Sequence, residues 1–144
     1  MLGEVRAIDR AGQRHPKVEV ALAPPFTLIH AARKEAEQIG VGAQDCHPVD
    51  GGAHTGDISP AMLADAGAGF VIVGHSERRT DHAETDELVR AKAEAARKAG
   101  LGVIVCVGES EAERDAGRAE DVVRGQVDAS VPTSAGAVER LSVA

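Results

Sequence analysis

The chain has 144 residues, enough for one domain with a substantial core. Lys plus Arg number 16 and Asp plus Glu 23, a net charge of −7. No basic block or arginine stripe interrupts that balance, which argues against nucleic acid or an anionic membrane as partner. Two Phe, no Tyr and no Trp leave the core to Val, Ile, Leu and Ala, a composition suited to helices packed on a parallel sheet. A metabolite carrying phosphate stays compatible, because helix N-termini bind anions even on a negative protein. Cys46 and Cys106 each lie in or beside a predicted strand and read as free thiols of a reducing compartment rather than as a disulfide or metal pair. The N-terminal residues run straight into charge with no apolar h-region, and no apolar run is long enough to span a bilayer. The expectation is a soluble, cytoplasmic protein.

In chain order, Leu2, Val5 and Ile8 recur at helical spacing and predict a short amphipathic helix over 2–11, ended by Gly12. It has no convincing N-cap. Residues 17–23 (KVEVALA) read as a strand that Pro24-Pro25 stops. Leu28, Ala31, Ala32, Ala36 and Ile39 predict a helix over 27–39, with Thr27 as N-cap and Gly40 as stop. Residues 41–44 form a short buried strand, and 45–59 (DCHPVDGGAHTGDIS) a loop long enough to be functional or interfacial. A helix over 60–66 follows, with Ser59 as N-cap and Pro60 at its first position. Further on, Thr85 caps a helix running to residue 98. Asp86 and Glu87 sit in its first turn, its apolar stripe is Leu88, Ala91, Ala95 and Ala99, and Glu94 pairs with Lys98. Residues 101–107 (LGVIVCV) predict another buried strand. A helix over about 111–127 buries Ala112, Ala116, Ala119, Val123 and Val127, residues 129–137 are a linker, and 140–144 (RLSVA) begin a strand. This alternation of strands and helices gives an α/β fold with a parallel sheet and right-handed crossovers. No G-x-G-x-x-G follows the first strand, so a dinucleotide cofactor has little support, and no other cofactor is called for.

The centre of the chain is Phe70-Val71-Ile72-Val73-Gly74-His75-Ser76-Glu77-Arg78-Arg79. Four apolar residues without alternation read as a strand buried on both faces, and Gly74 lets the backbone turn. His75, Ser76 and Glu77 then sit just past the strand's carboxyl end, where parallel α/β sheets place their chemistry. The bland reading is a solvated loop with His75 capping a helix.

Residues 73–79 closely resemble the fourth-strand signature of the triose-phosphate isomerase family, Val-Gly-His-Ser-Glu-Arg-Arg. Around them, Val20 to Phe26 (VALAPPF) resembles the family's second strand, residues 42–46 (GAQDC) its third, 52–59 (GAHTGDIS) its third loop, and 105–109 (VCVGE) its fifth strand. Arg114 and Gly117 resemble the helix after that. The resemblance implies one incomplete domain over 1–144, a partial (β/α)8 barrel of about four βα units and a strand stub. A full barrel needs roughly 250 residues. It implies that the parent protein interconverts dihydroxyacetone phosphate and D-glyceraldehyde 3-phosphate in glycolysis and gluconeogenesis, with no cofactor and no metal, as a homodimer. In that family a glutamate base works against a neutral histidine electrophile, the established chemistry of this isomerase. His75 matches the electrophile, with Ser76 and Glu77 in support; Ser76-Glu77-Arg78 can begin a helix whose positive end disfavours an imidazolium. Thr55 and Gly56 match the part of the third loop that enters the partner subunit.

No Asn-x-Lys precedes Leu2, and Ala144 stands just before the family's Tyr-Glu-Pro-Val-Trp. The substrate-binding lysine, the base glutamate and the phosphate loops therefore have no counterpart here, and the expectation is that these 144 residues alone are inactive. Glu77, whose family counterpart pairs with that lysine, is expected to be left unpaired. Open strand edges further predict that the isolated chain aggregates or folds poorly unless a second chain completes it. Two alternatives stand beside this: a non-catalytic relative acting as a binding or assembly module, and a metal hydrolase using His47, His54, His75 and His82. The histidines lack a tight ligand spacing, which disfavours the second. A four-carbon sugar phosphate as substrate would leave the His75 run unchanged.

Overall fold

The computed structural model describes residues 2–133 and 139–144. Its elements are α1 (Leu2–Gln13), β1 (Ala21–Leu22), a 3₁₀ turn (Phe26–Leu28), α2 (Ile29–Glu35), β2 (Gly40–Ala43) and α3 (Pro60–Asp65). They continue with β3 (Phe70–Val73), α4 (Ser76–Asp81), α5 (Asp86–Lys98), β4 (Gly102–Val105), α6 (Glu111–Asp115), α7 (Ala119–Ser130) and β5 (Leu141–Val143). The five strands form one parallel sheet in the order β1-β2-β3-β4-β5. Strands that neighbour one another in sequence also neighbour in space, joined by helical crossovers: the winding of a barrel wall.

Alternate strand residues face opposite sides. Val41, Ala43, Val71, Val73, Val103 and Val105 are buried beneath Ile29 and Ala32 of α2, Leu63 of α3 and Val89, Ala93 and Ala96 of α5. Phe70, Ile72 and Ile104 alternate with that set and are only half-buried. Gly42 pairs with Phe70, and a Cβ there would stand 2.5 Å from the Phe70 ring. Glycine is what lets the ring lie across β2.

The central strand, its partner β4 and the helices α3 and α5 fall where the sequence places them, with Ser59 and Thr85 capping through their hydroxyls. Other expectations need correction, one of them through Asp9. Its Oδ1 accepts the backbone N–H groups of Glu37, Gln38 and Ile39 at 3.0, 2.8 and 3.1 Å. That arrangement ends α2 at Glu35 instead of carrying it to residue 39. β1 is two residues rather than seven, because the chain leaves α1 through turns in which Arg14 N, His15 N and Val18 N donate to Ala11 O, Gly12 O and His15 O. Thr27 does not cap: Leu28 N donates to Pro25 O within the 3₁₀ turn. Gly12 lies inside α1, which runs on to Gln13.

The buried face of α5 is Val89, Lys92, Ala93 and Ala96, one step from the stripe expected at Leu88, Ala91, Ala95 and Ala99. Lys92 explains the shift: a lysine scored as polar hides the face it belongs to. Lys98 reaches Asp50, at 3.7 Å. The helix expected over 111–127 is broken by Gly117, at φ +70°, into α6 and α7. Ser110 and Glu113 close a reciprocal capping box on α6. Ala112 and Ala116 are exposed, and Ala119, Val123 and Val127 are half-buried, because this outer layer packs on α5 rather than on the sheet. Of the linker expected over 129–137, residues 129 and 130 belong to α7 and 134–137 lie outside the described residues.

Candidate functional site

At the carboxyl ends of β1, β2 and β3 a cleft of about 360 Å³ opens, lined by Phe26, Gln44, Asp45, Ile72, His75 and Glu77, with Arg78, Asp81 and His82 beyond. The chain reaches it from β3 through Gly74, whose φ of +73° disfavours any side chain. A Cβ at that position would also lie 2.7 Å from Val89 Cγ1.

His75 is the N-cap of α4. Its Nδ1 accepts the backbone N–H of Glu77 at 3.4 Å, so Nδ1 holds a lone pair and the ring proton of the neutral imidazole sits on Nε2. The side chain is 48% exposed. Glu77 is exposed, and its Oε2 lies 3.7 Å from the same Nδ1, which with a lone pair there offers the carboxylate no proton. A neutral imidazole with a free Nε2–H is a hydrogen-bond donor that can polarise a carbonyl and stabilise the oxyanion formed from it.

Arg79 turns away from the cleft into a structural role, while Arg78 lines the cleft and is held there by carboxylates. Arg79 Nε donates to Gly74 O at 2.8 Å, and its Nη atoms reach Asp86 Oδ1 at 2.5 Å, Ser130 Oγ at 3.1 Å and Cys106 O at 3.2 Å. One guanidinium thus fixes the ends of β3 and β4 to the start of α5 and the end of α7. Arg78, itself half-buried, joins a group of four charges with the buried Asp45, Glu84 and Lys92. Its Nε and Nη2 meet Glu84 Oε1 at 2.7 Å and Asp45 Oδ2 at 2.9 Å. Lys92 Nζ bonds Asp45 at 2.8 and 3.0 Å and Glu84 Oε1 at 2.5 Å. Two cations balance two anions in and behind the cleft wall, with Asp45 and Arg78 lining it, while Glu84 Oε2 is buried without a hydrogen-bond partner among the described residues.

Burial pushes the Asp45 carboxyl up, only partly offset by Lys92. Burial acts on Glu84 too, yet the hydrogen bond and charge of Lys92, with Arg78, outweigh it and hold that carboxyl down. Burial, then the charge of Asp45, pushes the Cys46 thiol up to about 12. Cys106 is raised by burial as well. Neither thiol is poised as a nucleophile, and both are free.

Thr55 and Gly56 lie exposed in the long loop after β2, with Gly56 at φ +92°. Of the four histidines weighed as metal ligands, His47 and His54 come together, joined by Asp57; His75 and His82 line the cleft instead. Sequence reading missed Asp9, Asp45, Glu84 and Lys92. Only the interruption of α5's apolar face by Lys92 hints at them.

The triosephosphate isomerase family model matches residues 2–144. Relatives of that name come from Afipia carboxidovorans (60% identity over 108 residues, 73% of this chain and 43% of the relative) and Rhizobium etli (53% over 141 residues, 94% and 55%). A third, from Xanthobacter flavus, is 55% identical over 137 residues, again 94% and 55%. The chain therefore spans about half the length of these relatives. The crystal structure of triosephosphate isomerase from Bartonella henselae superposes with a TM-score of 0.89 at 44% identity, covering 99% of this chain and 60% of that one.

Proposed function

Because the chain belongs to the triosephosphate isomerase family, we propose that its cleft supplies the electrophile for interconverting dihydroxyacetone phosphate and D-glyceraldehyde 3-phosphate. The observation that carries this reading is the Nδ1 of His75 accepting the Glu77 N–H. Substrate carbonyl oxygen sits against Nε2–H. As a carboxylate base removes the proton from the neighbouring carbon, charge gathers on that oxygen, and the His75 donor stabilises the enediolate. A proton passes between the two enediolate oxygens and the base returns its own proton to the adjacent carbon, so aldose and ketose interconvert with no net gain or loss of atoms.

Ser76 and Glu77 serve through the helix turn they start, since it is the Glu77 amide that orients the ring. Neither Asp45 nor Glu77 is placed as the base. Asp45 is engaged by Lys92 and Arg78, and Glu77 stands on the Nδ1 side of the ring. In this reading the base comes from sequence outside residues 1–144, and the 144 residues alone do not turn over substrate. The half-buried Phe70, Ile72 and Ile104 form the face that the rest of an eight-stranded barrel would cover. Thr55 and Gly56, exposed on their loop, serve as subunit contacts of a homodimer, and the free thiols suit the cytoplasm.

The test is a chimera in which residues 2–144 replace the matching stretch of the Rhizobium etli relative. The expected result is isomerase turnover whose kcat falls at least ~100-fold in His75→Gln with KM little changed. A loss below about 10-fold in kcat rules out the assigned role.

A further inference from the structure

We propose that the loop after β2 holds a divalent metal site of the zinc class, built from His47, His54 and Asp57. The potential ligand atoms of the three residues all lie within 4.8 Å of one another. His47 Nε2 and Asp57 Oδ2 are 3.6 Å apart. Two ligands on one tetrahedral Zn²⁺, with bonds of about 2.0–2.1 Å, stand roughly 3.4 Å apart, so this pair is already at coordinating separation. The His54 ring lies with its centroid 4.0 Å from that of His47, with a ring nitrogen within 4.8 Å of the other two ligand atoms.

The backbone prepares this arrangement. His47 N donates to Ile58 O at 2.9 Å, closing the loop at its base, and Asp57 N donates to His54 O at 3.1 Å, folding two ligands into one turn. The left-handed glycines Gly52 (φ +131°) and Gly56 (φ +92°) permit the path between. His47 is held by its own loop: Nδ1 accepts the Val49 N–H at 3.1 Å and lies 3.3 Å from Val49 O.

Two imidazoles and one carboxylate suit Zn²⁺ or Co²⁺ and disfavour Ca²⁺ and Mg²⁺, which take all-oxygen shells. Three protein ligands leave a fourth position for water, and a cavity of about 210 Å³ lined by His47, Gly56 and Asp57 adjoins the group. The isomerase chemistry uses none of these three side chains, and metal binding by the 144-residue chain is read separately from the subunit contacts proposed for Thr55 and Gly56 of the same loop.

The test is calorimetric titration of the 144-residue chain with Zn²⁺, and with Co²⁺ followed by its visible absorption. The expected result is saturation at one equivalent with a tetrahedral Co²⁺ spectrum, and binding weakened at least ~10-fold by His54→Ala and by Asp57→Asn. Both side chains are exposed, so these variants keep the fold. His30→Ala, a substitution of an exposed histidine on α2, is expected to leave affinity unchanged. Absence of saturable binding, or binding that His54→Ala does not weaken or that His30→Ala weakens equally, overturns the proposal.

Discussion

Lys92→Met isolates what the buried charges contribute. The substitution keeps most of the apolar stem of a side chain that is 5% exposed and deletes the ammonium that bonds Asp45 and Glu84. Two carboxylates then share one guanidinium, that of Arg78. The surplus charge need not stay buried, because one carboxyl can take up a proton, which bounds the cost. Holding a proton at pH 7 on a group of unperturbed pKa near 3.9 costs about 4 kcal/mol, at 1.36 kcal/mol per unit, and near pH 5 about 1.5 kcal/mol. Asp45 is the group to protonate, since burial already pushes its carboxyl up. At roughly 3 °C per kcal/mol for a chain of this length, the expected loss is ~12 °C in Tm at pH 7, shrinking to ~4 °C at pH 5. Adding Asp45→Asn leaves a balanced Glu84–Arg78 pair and is expected to restore about 2 kcal/mol. With no Trp or Tyr in the chain, far-UV circular dichroism in urea is the assay. A loss below ~1 kcal/mol at pH 7, or one that does not change with pH, would refute the reasoning.

Three further outcomes follow from the same framework. Gly74→Ala forces a left-handed side chain against Val89 and is expected to cost about 2–4 kcal/mol by urea unfolding; under ~1 kcal/mol would mean that the β3–α4 turn can re-form. Arg79→Lys cannot reproduce the bonds to Gly74, Asp86, Cys106 and Ser130 and is expected to cost roughly 2–3 kcal/mol by the same measurement. The Asp9 carboxyl is held below the usual range, first by the Gln38 amide and then by those of Ile39 and Glu37. A lowered folded value gives stability that is complete above the unfolded pKa near 4 and lost as pH falls through the folded one. Asp9→Asn is therefore expected to be less stable than the parent at pH 7, with the gap narrowing as pH drops below about 4. A constant gap across that range would contradict this assignment.

What the sequence made legible was local chemistry. The apolar run at 70–73, the glycine that ends it and the caps at Ser59 and Thr85 each act within a few residues, and the structure keeps them. The placement of His75 at a strand's carboxyl end follows from the same run. Asp9 caps a turn nearly thirty residues away, so no spacing rule announces it, yet it meets the chain just past the end of α2. Lys92 misled for a related reason. Its charge is neutralised by Asp45, 47 residues distant, and only that pairing lets a lysine occupy a core face. The His47–His54–Asp57 group likewise depends on how the loop closes onto Ile58. Its spacing along the chain matches no simple ligand motif.

The claim on which the functional account rests is that this chain supplies the electrophile while the base lies elsewhere. The direct measurement is a coupled assay of the purified 144-residue chain on dihydroxyacetone phosphate. The account predicts no turnover above buffer. Enzyme-like turnover, on the order of 1 s⁻¹ or faster, that disappears in His75→Gln would contradict it, since a base would then reside among these residues.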